Sequence, residues 1–404
     1  MADLDAAAAA ALLGFLRRTH LSGPADIARV AAEQAAEFGA SDLVLYLADY
    51  EQRRLIPVEQ PAEPVPIEGT LVGRAFATTS ILRTDAGDGT RLILPLLDGT
   101  ERLGVLELTV PGPEDDVPIE LVSVAERFAH LVAQTVVVKS SYGDTFELVR
   151  RRRPMEISAE LIRGMLPPLV FATEQIVIAG LLEPSYSVGG DSFDYAVNGP
   201  VAHLALFDAM GHGLAAAGDA SFAIAGYRAA RRRGLGLVET YREMDAAIQH
   251  QTGERFVTAL LAQLDLDTGQ LRWLSAGHPA PLLVREGKFI KELQTEPHTP
   301  LGVAFGGSEP VVSEESLQPG DLVLFYTDGL PEARLPDGEF FTVERLAEFI
   351  ERQAAADLAA PETLRRLRHA VLEHQHGALQ DDASALLVQW SGDGPRRLLP
   401  ETVL

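Results

Sequence analysis

Residues 204–214, LALFDAMGHGL, constrain this chain most: an apolar run of strand character ends in Asp208 and breaks at once into a Gly-x-Gly turn. Upstream lies a second block, SVGGDSFDY at 187–195, and between the two sits Asn198-Gly199, the strongest short signal for a tight hairpin. Antiparallel pairing about that turn sets position 191 opposite roughly 206–208. Asp191 and Asp208 are thereby expected at one strand end. Two carboxylates so close force one of them to keep its proton unless a cation lies between them. Asp, unlike His or Cys, selects hard cations such as Mg²⁺ or Mn²⁺, and a pair of ions about 3.5–4 Å apart is the usual arrangement for in-line attack on phosphorus.

Two further acidic positions occur where strands meet loops. Asp328 follows the apolar run LVLFYT at 322–327 and precedes Gly329, which allows backbone to approach a bound ion closely. Asp381 and Asp382 open the last strand. An octahedral ion that keeps several waters needs only three or four carboxylates and one carbonyl, so this set suffices. The net charge of −24 suits cation binding and argues against nucleic acid or an anionic membrane as partner. The chain has no Cys, which removes disulfides, zinc–thiolate sites and thiol nucleophiles. The apolar run 6–16 is too short to span a bilayer, and its flanks are the reverse of a secretory signal; an N-terminal helix and a cytoplasmic protein are expected.

In the N-terminal part, strands are expected at 43–47, 55–58, 91–97 and 103–110, with a small helix opening near 69–76 and a hairpin turn at Asp98-Gly99. Period-two alternation marks the strand at 103–110. Helix, strands, small helix, hairpin and helix make an α+β sensor layout. Through GRAF at 73–76, LPL at 94–96 and RLGVLE at 102–107 this part resembles a GAF domain. No charged or aromatic cluster marks a nucleotide, haem or flavin site in it, so both a ligand-free dimerisation module and a small-molecule sensor stay open. From 122 to 149 apolar residues recur at alternating spacings of three and four, the pattern of one helix with a seam, serving either a dimeric coiled coil or packing on its own domain. Arg150 to Arg153 read as a solvated linker face, and Pro154 breaks the helix. A short amphipathic segment follows at 157–165.

Beyond Pro168 strand signals dominate, at 176–182, 193–197, 201–207, 257–264, 271–275, 281–284, 321–327 and 384–390. Helical stretches at 214–233 and 237–251 follow the Asp208 strand, and two more, at 342–354 and 361–374, precede the last strand. Antiparallel hairpins with paired helices inserted predict two sheets covered by helices, an α-β-β-α sandwich.

Seven successive motifs then carry a second resemblance: EPSYSVGGDSFD (183–194), FDAMGHG (207–213), FVTA (256–259), SAGHP (275–279), PLGV (300–303), FYTDGL (325–330) and QDDAS (380–384). Together they resemble the SpoIIE-type serine/threonine phosphatases, the bacterial branch of the metal-dependent PPM phosphatases. The resemblance implies two Mn²⁺ or Mg²⁺ ions, with Asp208 bridging both. It implies that the backbone carbonyl of Ala209 and Asp191 serve one ion, and Asp328 and Asp381 the other. His212, between two glycines, is a candidate general acid or a residue that shapes the turn; His278 is expected to be structural.

The resemblances imply a GAF-like sensor or dimerisation domain at 1–140, a helical linker at 141–172, a phosphatase domain at 173–392 and a tail at 393–404. The expected substrate is a phosphorylated protein, a STAS-type anti-sigma-factor antagonist in a partner-switching pathway, and the expected assembly is a homodimer. A catalytically silent partner-binding switch and a two-metal phosphohydrolase acting on a small metabolite are the alternatives.

Overall fold

A computed structural model of the chain describes residues 2–59, 62–187, 189–253, 255–303, 309–334, 339–375, 381–392 and 394–400. The chain forms two compact units, residues 1–153 with 396–404, and residues 154–395. The segment 141–172, expected as a linker, is therefore divided between them, and the tail beyond 395 belongs with the N-terminal unit.

The first unit runs α1 (Ala2–Thr19), α2 (Ile27–Ala35), β1 (Ser41–Ala48), β2 (Arg54–Pro57), β3 (Val65–Pro66), α3 (Leu71–Thr78), β4 (Leu82–Asp85), β5 (Gly89–Asp98), β6 (Glu101–Pro111), α4 (Ile119–Ser140) and α5 (Thr145–Arg150). Its strands form one antiparallel sheet in the order β3-β2-β1-β6-β5-β4. Alternate residues of the central strands β1, β5 and β6 feed two cores. Leu45, Leu47, Leu94, Leu106 and Leu108 pack against Phe15 of α1, Val30 of α2 and Phe128 of α4. Tyr46, Ala48, Ile93 and Val105 pack with Ala75 and Phe76 of α3. Strand β6 is thus buried on both faces, and its alternation separates two cores rather than core from water.

The helix expected over 122–149 is two helices, because α4 ends at Ser140 and the chain turns through Gly143 before α5. Its seam residues Ala125, Phe128 and Val132 are buried in their own unit. Among the described residues α4 is the one helix long and apolar enough to cross a bilayer, and just over half of its apolar stretch is buried here. Of the four arginines at the end of α5, Arg152 and Arg153 are exposed as expected of a solvated face, while Arg150 and Arg151 are half-buried. Arg150 stacks on Tyr50, its guanidinium carbon 4.5 Å from the ring centre, and donates from Nε to the Ala48 carbonyl at 3.0 Å. Arg151 pairs with Glu147, and Arg153 with Glu51.

The second unit continues with α6 (Ile157–Arg163), β7 (Val170–Ala172), β8 (Ile176–Glu183), β9 (Asp191–Asn198), β10 (Val201–Ala209), α7 (Gly213–Arg232), α8 (Leu237–Thr252), β11 (Val257–Asp265), β12 (Gln270–Ala276), β13 (Leu282–Arg285), β14 (Lys288–Glu292), β15 (Ser313–Ser316), β16 (Leu322–Tyr326), α9 (Val343–Ala355), α10 (Ala360–His374) and β17 (Ala383–Trp390). Two antiparallel sheets result, β15-β12-β11-β10-β9 and β14-β13-β16-β17-β8-β7. They face each other, with α7 and α8 covering the first and α9 and α10 the second. This is the expected α-β-β-α layering. The three strands of this unit missing from the sequence reading, β7, β14 and β15, are short and lie at sheet edges, where few side chains are buried to reveal a period, as do β3 and β4 of the first unit.

The inter-sheet core is filled by Phe193, Leu206, Phe325, Leu386 and their neighbours, all nearly inaccessible. Helix α7 is fixed to β9 by a buried ion cluster. Asp194 accepts from Arg228 Nε at 2.9 Å and from Arg231 Nη1 at 2.6 Å. Because α7 starts just after the turn that follows Asp208, this cluster also fixes where that turn can go.

Candidate metal centre

The hairpin around Asn198-Gly199 has the register expected of it: Val201 pairs with Asn198, and the ladder continues until Asp208 pairs with Asp191. On its other side Asp208 pairs with Thr258 of β11. Asp191 is buried and Asp208 half-buried. A close approach of backbone to backbone locks this corner: the Ala209 N–H donates to the Gly190 carbonyl at 3.1 Å, and a Cβ on Gly190 would lie 2.2 Å from the Ala209 carbonyl oxygen. No side chain fits there.

The second sheet contributes Asp328, in the turn after β16, and Asp381 and Asp382, just before β17. Gly329 is required, though not by the approach to an ion that its place after Asp328 suggested. Its Cβ would meet the Asp382 carbonyl oxygen at 1.8 Å, so it brings the two acidic strand ends together.

The carboxylates act on one another. Burial, and then the charges of Asp328, Asp381 and Asp382, push Asp208 up to about 7. Asp191 is held well above the usual carboxylate range by burial and by Asp208 and Asp382, against the hydrogen bonds of Thr327 and Ser384. Burial raises Asp328, aided by Glu332 and Asp381. Asp382 is also raised by burial, which the backbone N–H groups of Gly189, Gly190 and Asp191 oppose. The five aspartates, expected from four separate strand ends, thus lie near enough to act on one another's charge, and Glu332 acts on Asp328 in the same way.

Among the described residues no three His, Asp or Glu side chains converge tightly enough to clasp an ion by themselves. The donors are all oxygen and their repulsion is relieved by positive charge, so the residues fit Mg²⁺ or Mn²⁺.

Two residues that the sequence reading left without a role orient this set. Thr327, fully buried, donates from Oγ1 to Asp191 Oδ2 at 2.6 Å and accepts the Ser384 N–H at 2.9 Å. Asp382 accepts from the Gly189 and Gly190 amides. Their only sequence signal is membership of the motifs FYTDGL and QDDAS. His212 is exposed at the N-cap of α7, between Gly211 at φ +95° and Gly213 at φ +74°, and its side chain caps nothing. His278 is buried, its Nδ1 2.9 Å from Thr258 Oγ1, while Ser275 Oγ donates to its carbonyl. Burial pushes its imidazole down to about 3, so it stays neutral in a structural position.

The preceding loop is held from α6. Arg163 Nε donates to the Ser185 carbonyl at 3.1 Å, and the Glu156 N–H donates to Tyr186 at 2.9 Å.

Residues 199–391 match the family model described as Stage II sporulation protein E (SpoIIE). Phosphoserine phosphatase RsbU of Bacillus subtilis (strain 168) is 22% identical over 280 residues, covering 66% of this chain and 81% of RsbU. Protein IcfG of Synechocystis sp. is 23% identical over 267 residues, 59% of this chain but only 41% of IcfG, so the chain spans less than half of that relative. Among solved structures, the RsbU and RsbW domains of Rv1364c from Mycobacterium tuberculosis share 29% identity at a TM-score of 0.47, over 56% of this chain and 62% of that one. With the motif series, the matched family and the carboxylate site in agreement, the second unit of this chain is a SpoIIE-type domain of the metal-dependent PPM phosphatases.

Proposed function

We propose that this protein hydrolyses phosphoserine or phosphothreonine on a protein substrate, using two Mn²⁺ or Mg²⁺ ions. The observation that carries this reading is the meeting of Asp191 and Asp208 from one sheet with Asp328 and Asp381 from the other, at a rim where none has a basic partner among the described residues. Asp208 would be shared, Asp191 and the Ala209 carbonyl would hold one ion, and Asp328 and Asp381 the other. Bound there, the ions supply Lewis acidity, which acidifies water and neutralises charge on the phosphoryl oxygens. His212, exposed on the turn after Asp208, would give a proton to the leaving serine oxygen. RsbU bears the name phosphoserine phosphatase, which supports the substrate class. The motif series further supports a STAS-type anti-sigma-factor antagonist as the phosphoprotein.

The first unit is GAF-like in this reading, supported by its antiparallel sheet with helices on both faces. It would regulate the phosphatase as part of a homodimer. The contacts of α6 with the loop at 185–186 provide a path, since a shift of α6 would move the chain that leads into Asp191. Such regulation needs a differential free energy of a few kcal/mol between two packings (about 5.5 kcal/mol for full reversal).

Phosphate release from a phosphoserine protein and from free nucleotides, each with and without Mn²⁺, tests the activity. Release from the phosphoprotein alone, and only with metal, is expected. Equal release from nucleotides would favour a metabolite phosphohydrolase, and no release from either would leave a silent switch. Light scattering at micromolar concentration tests the dimer.

A further inference from the structure

We infer that Asp382 is a positioning residue of the metal centre: it clamps the Gly189-Gly190 loop of one sheet to the start of β17 in the other and so sets Asp191 against Asp381. This rests on the reading of the site as a metal centre.

Asp381 and Asp382 are neighbours in sequence but differ in setting. Asp381 is exposed, while Asp382 is half-buried and faces the other sheet. Its Oδ2 accepts the Gly189 N–H at 2.6 Å and the Gly190 N–H at 2.7 Å, with the Asp191 N–H at 3.4 Å. Successive amides arranged around one oxygen form a concave anion-holding turn, and hydrogen bonds to a carboxylate are shorter and stronger than neutral ones. An oxygen engaged by two short amide bonds has little left to offer an ion.

The loop's composition follows from the clamp. A Cβ on Gly189 would lie 3.0 Å from Asp382 Oδ2, and equally close to the Gly213 nitrogen and the His212 Cα, so a side chain at 189 would push the carboxylate away. Gly329, packed on the Asp382 carbonyl, fixes the other side of the same residue. The clamp joins segments 192–193 residues apart in sequence, and it ends one residue before Asp191 and one residue after Asp381. Asp191 is tied to the second sheet by a further contact, the hydrogen bond from Thr327 after β16. Partners that orient metal ligands in this manner are worth about 10–100-fold in metal affinity.

Asparagine keeps an acceptor oxygen where the amides need one, whereas alanine does not; a direct ligand would lose its charge in both. The test is Mn²⁺ affinity by titration calorimetry on the full chain for Asp382→Asn, Asp382→Ala and Asp381→Asn, with amide hydrogen exchange at 189–191 in the metal-free proteins. Expected are Mn²⁺ affinity within about threefold of wild type for Asp382→Asn, a loss of about 10–100-fold for Asp382→Ala, and faster exchange at Gly189 and Gly190 in Asp382→Ala only. If Asp382→Asn loses affinity as severely as Asp381→Asn, Asp382 is a ligand and the inference fails. It also fails if Asp382→Ala keeps both its affinity and its amide protection. Should Asp382→Ala not fold, Asp382→Asn decides alone. If the wild-type protein binds no Mn²⁺, the metal reading falls, while the exchange data still settle whether Asp382 holds the loop.

Discussion

Asp191 lies directly across the β9–β10 ladder from Asp208, and burial together with the Asp208 charge holds the Asp191 carboxyl well above the usual range. Their repulsion is tolerated in the folded chain only by protonation or by a cation. Asp208→Asn removes the carboxylate proposed to serve both ions and also relieves that repulsion. We expect Mn²⁺-dependent phosphatase activity to fall by more than about 10²–10³, the usual cost of losing one charge-stabilising element, with thermal stability of the metal-free protein unchanged or higher. Activity above about a tenth of wild type at saturating Mn²⁺ would refute the bridging role.

Thr327 is the hinge of a three-part contact, donating to Asp191 and accepting from Ser384. Thr327→Val preserves the shape but leaves the buried Ser384 N–H and one Asp191 oxygen without that hydroxyl. A stability loss of about 1–3 kcal/mol is expected, together with weaker Mn²⁺ binding. Thr327→Ser should restore both, and chemical denaturation of the three proteins makes the comparison.

Asp194 is almost inaccessible and holds Arg228 and Arg231 of α7. Breaking a buried pair by removing one partner costs about 3–5 kcal/mol, because the remaining charge is left uncompensated. Asp194→Ala is therefore expected to cost that much in urea denaturation. Arg228, a quarter exposed, should contribute less than Arg231, and Arg228→Ala against Arg231→Ala measures the difference.

His278 provides a pH signature. Its folded value of about 3 lies below the ordinary 6.5, so only the neutral form suits the fold. Its contribution is complete above the unfolded value and is lost as the pH falls toward the folded one. The stability of wild type relative to His278→Gln should fall by about 1 kcal/mol between pH 6.5 and 5.5. A difference independent of pH over that range would show that His278 is not buried in neutral form.

The local features of this protein were legible in its residues. Asn198-Gly199 marks the hairpin, the turn itself falls on Gly199-Pro200 with Asn198 paired to Val201, and a strand's strict period of two then sets Asp191 opposite Asp208, since a slip by one residue would turn every apolar side chain of β10 to the wrong face. The helices after Asp208 and before β17 were equally plain from their apolar period. Tertiary structure alone decided what those patterns face. The alternating spacing of α4 suits a partner helix as well as a sheet, and here Phe128 meets Phe15 and Phe38 of its own unit. The alternation of β6 gave no sign that both faces are covered. The roles of Thr327 and Asp382 were hidden for the same reason: each acts on a partner 136 or more residues away, across two facing sheets. Periodicity reports which side of an element is apolar, but a hydrogen bond between sheets depends on how the sheets stack, and that is set by the whole core.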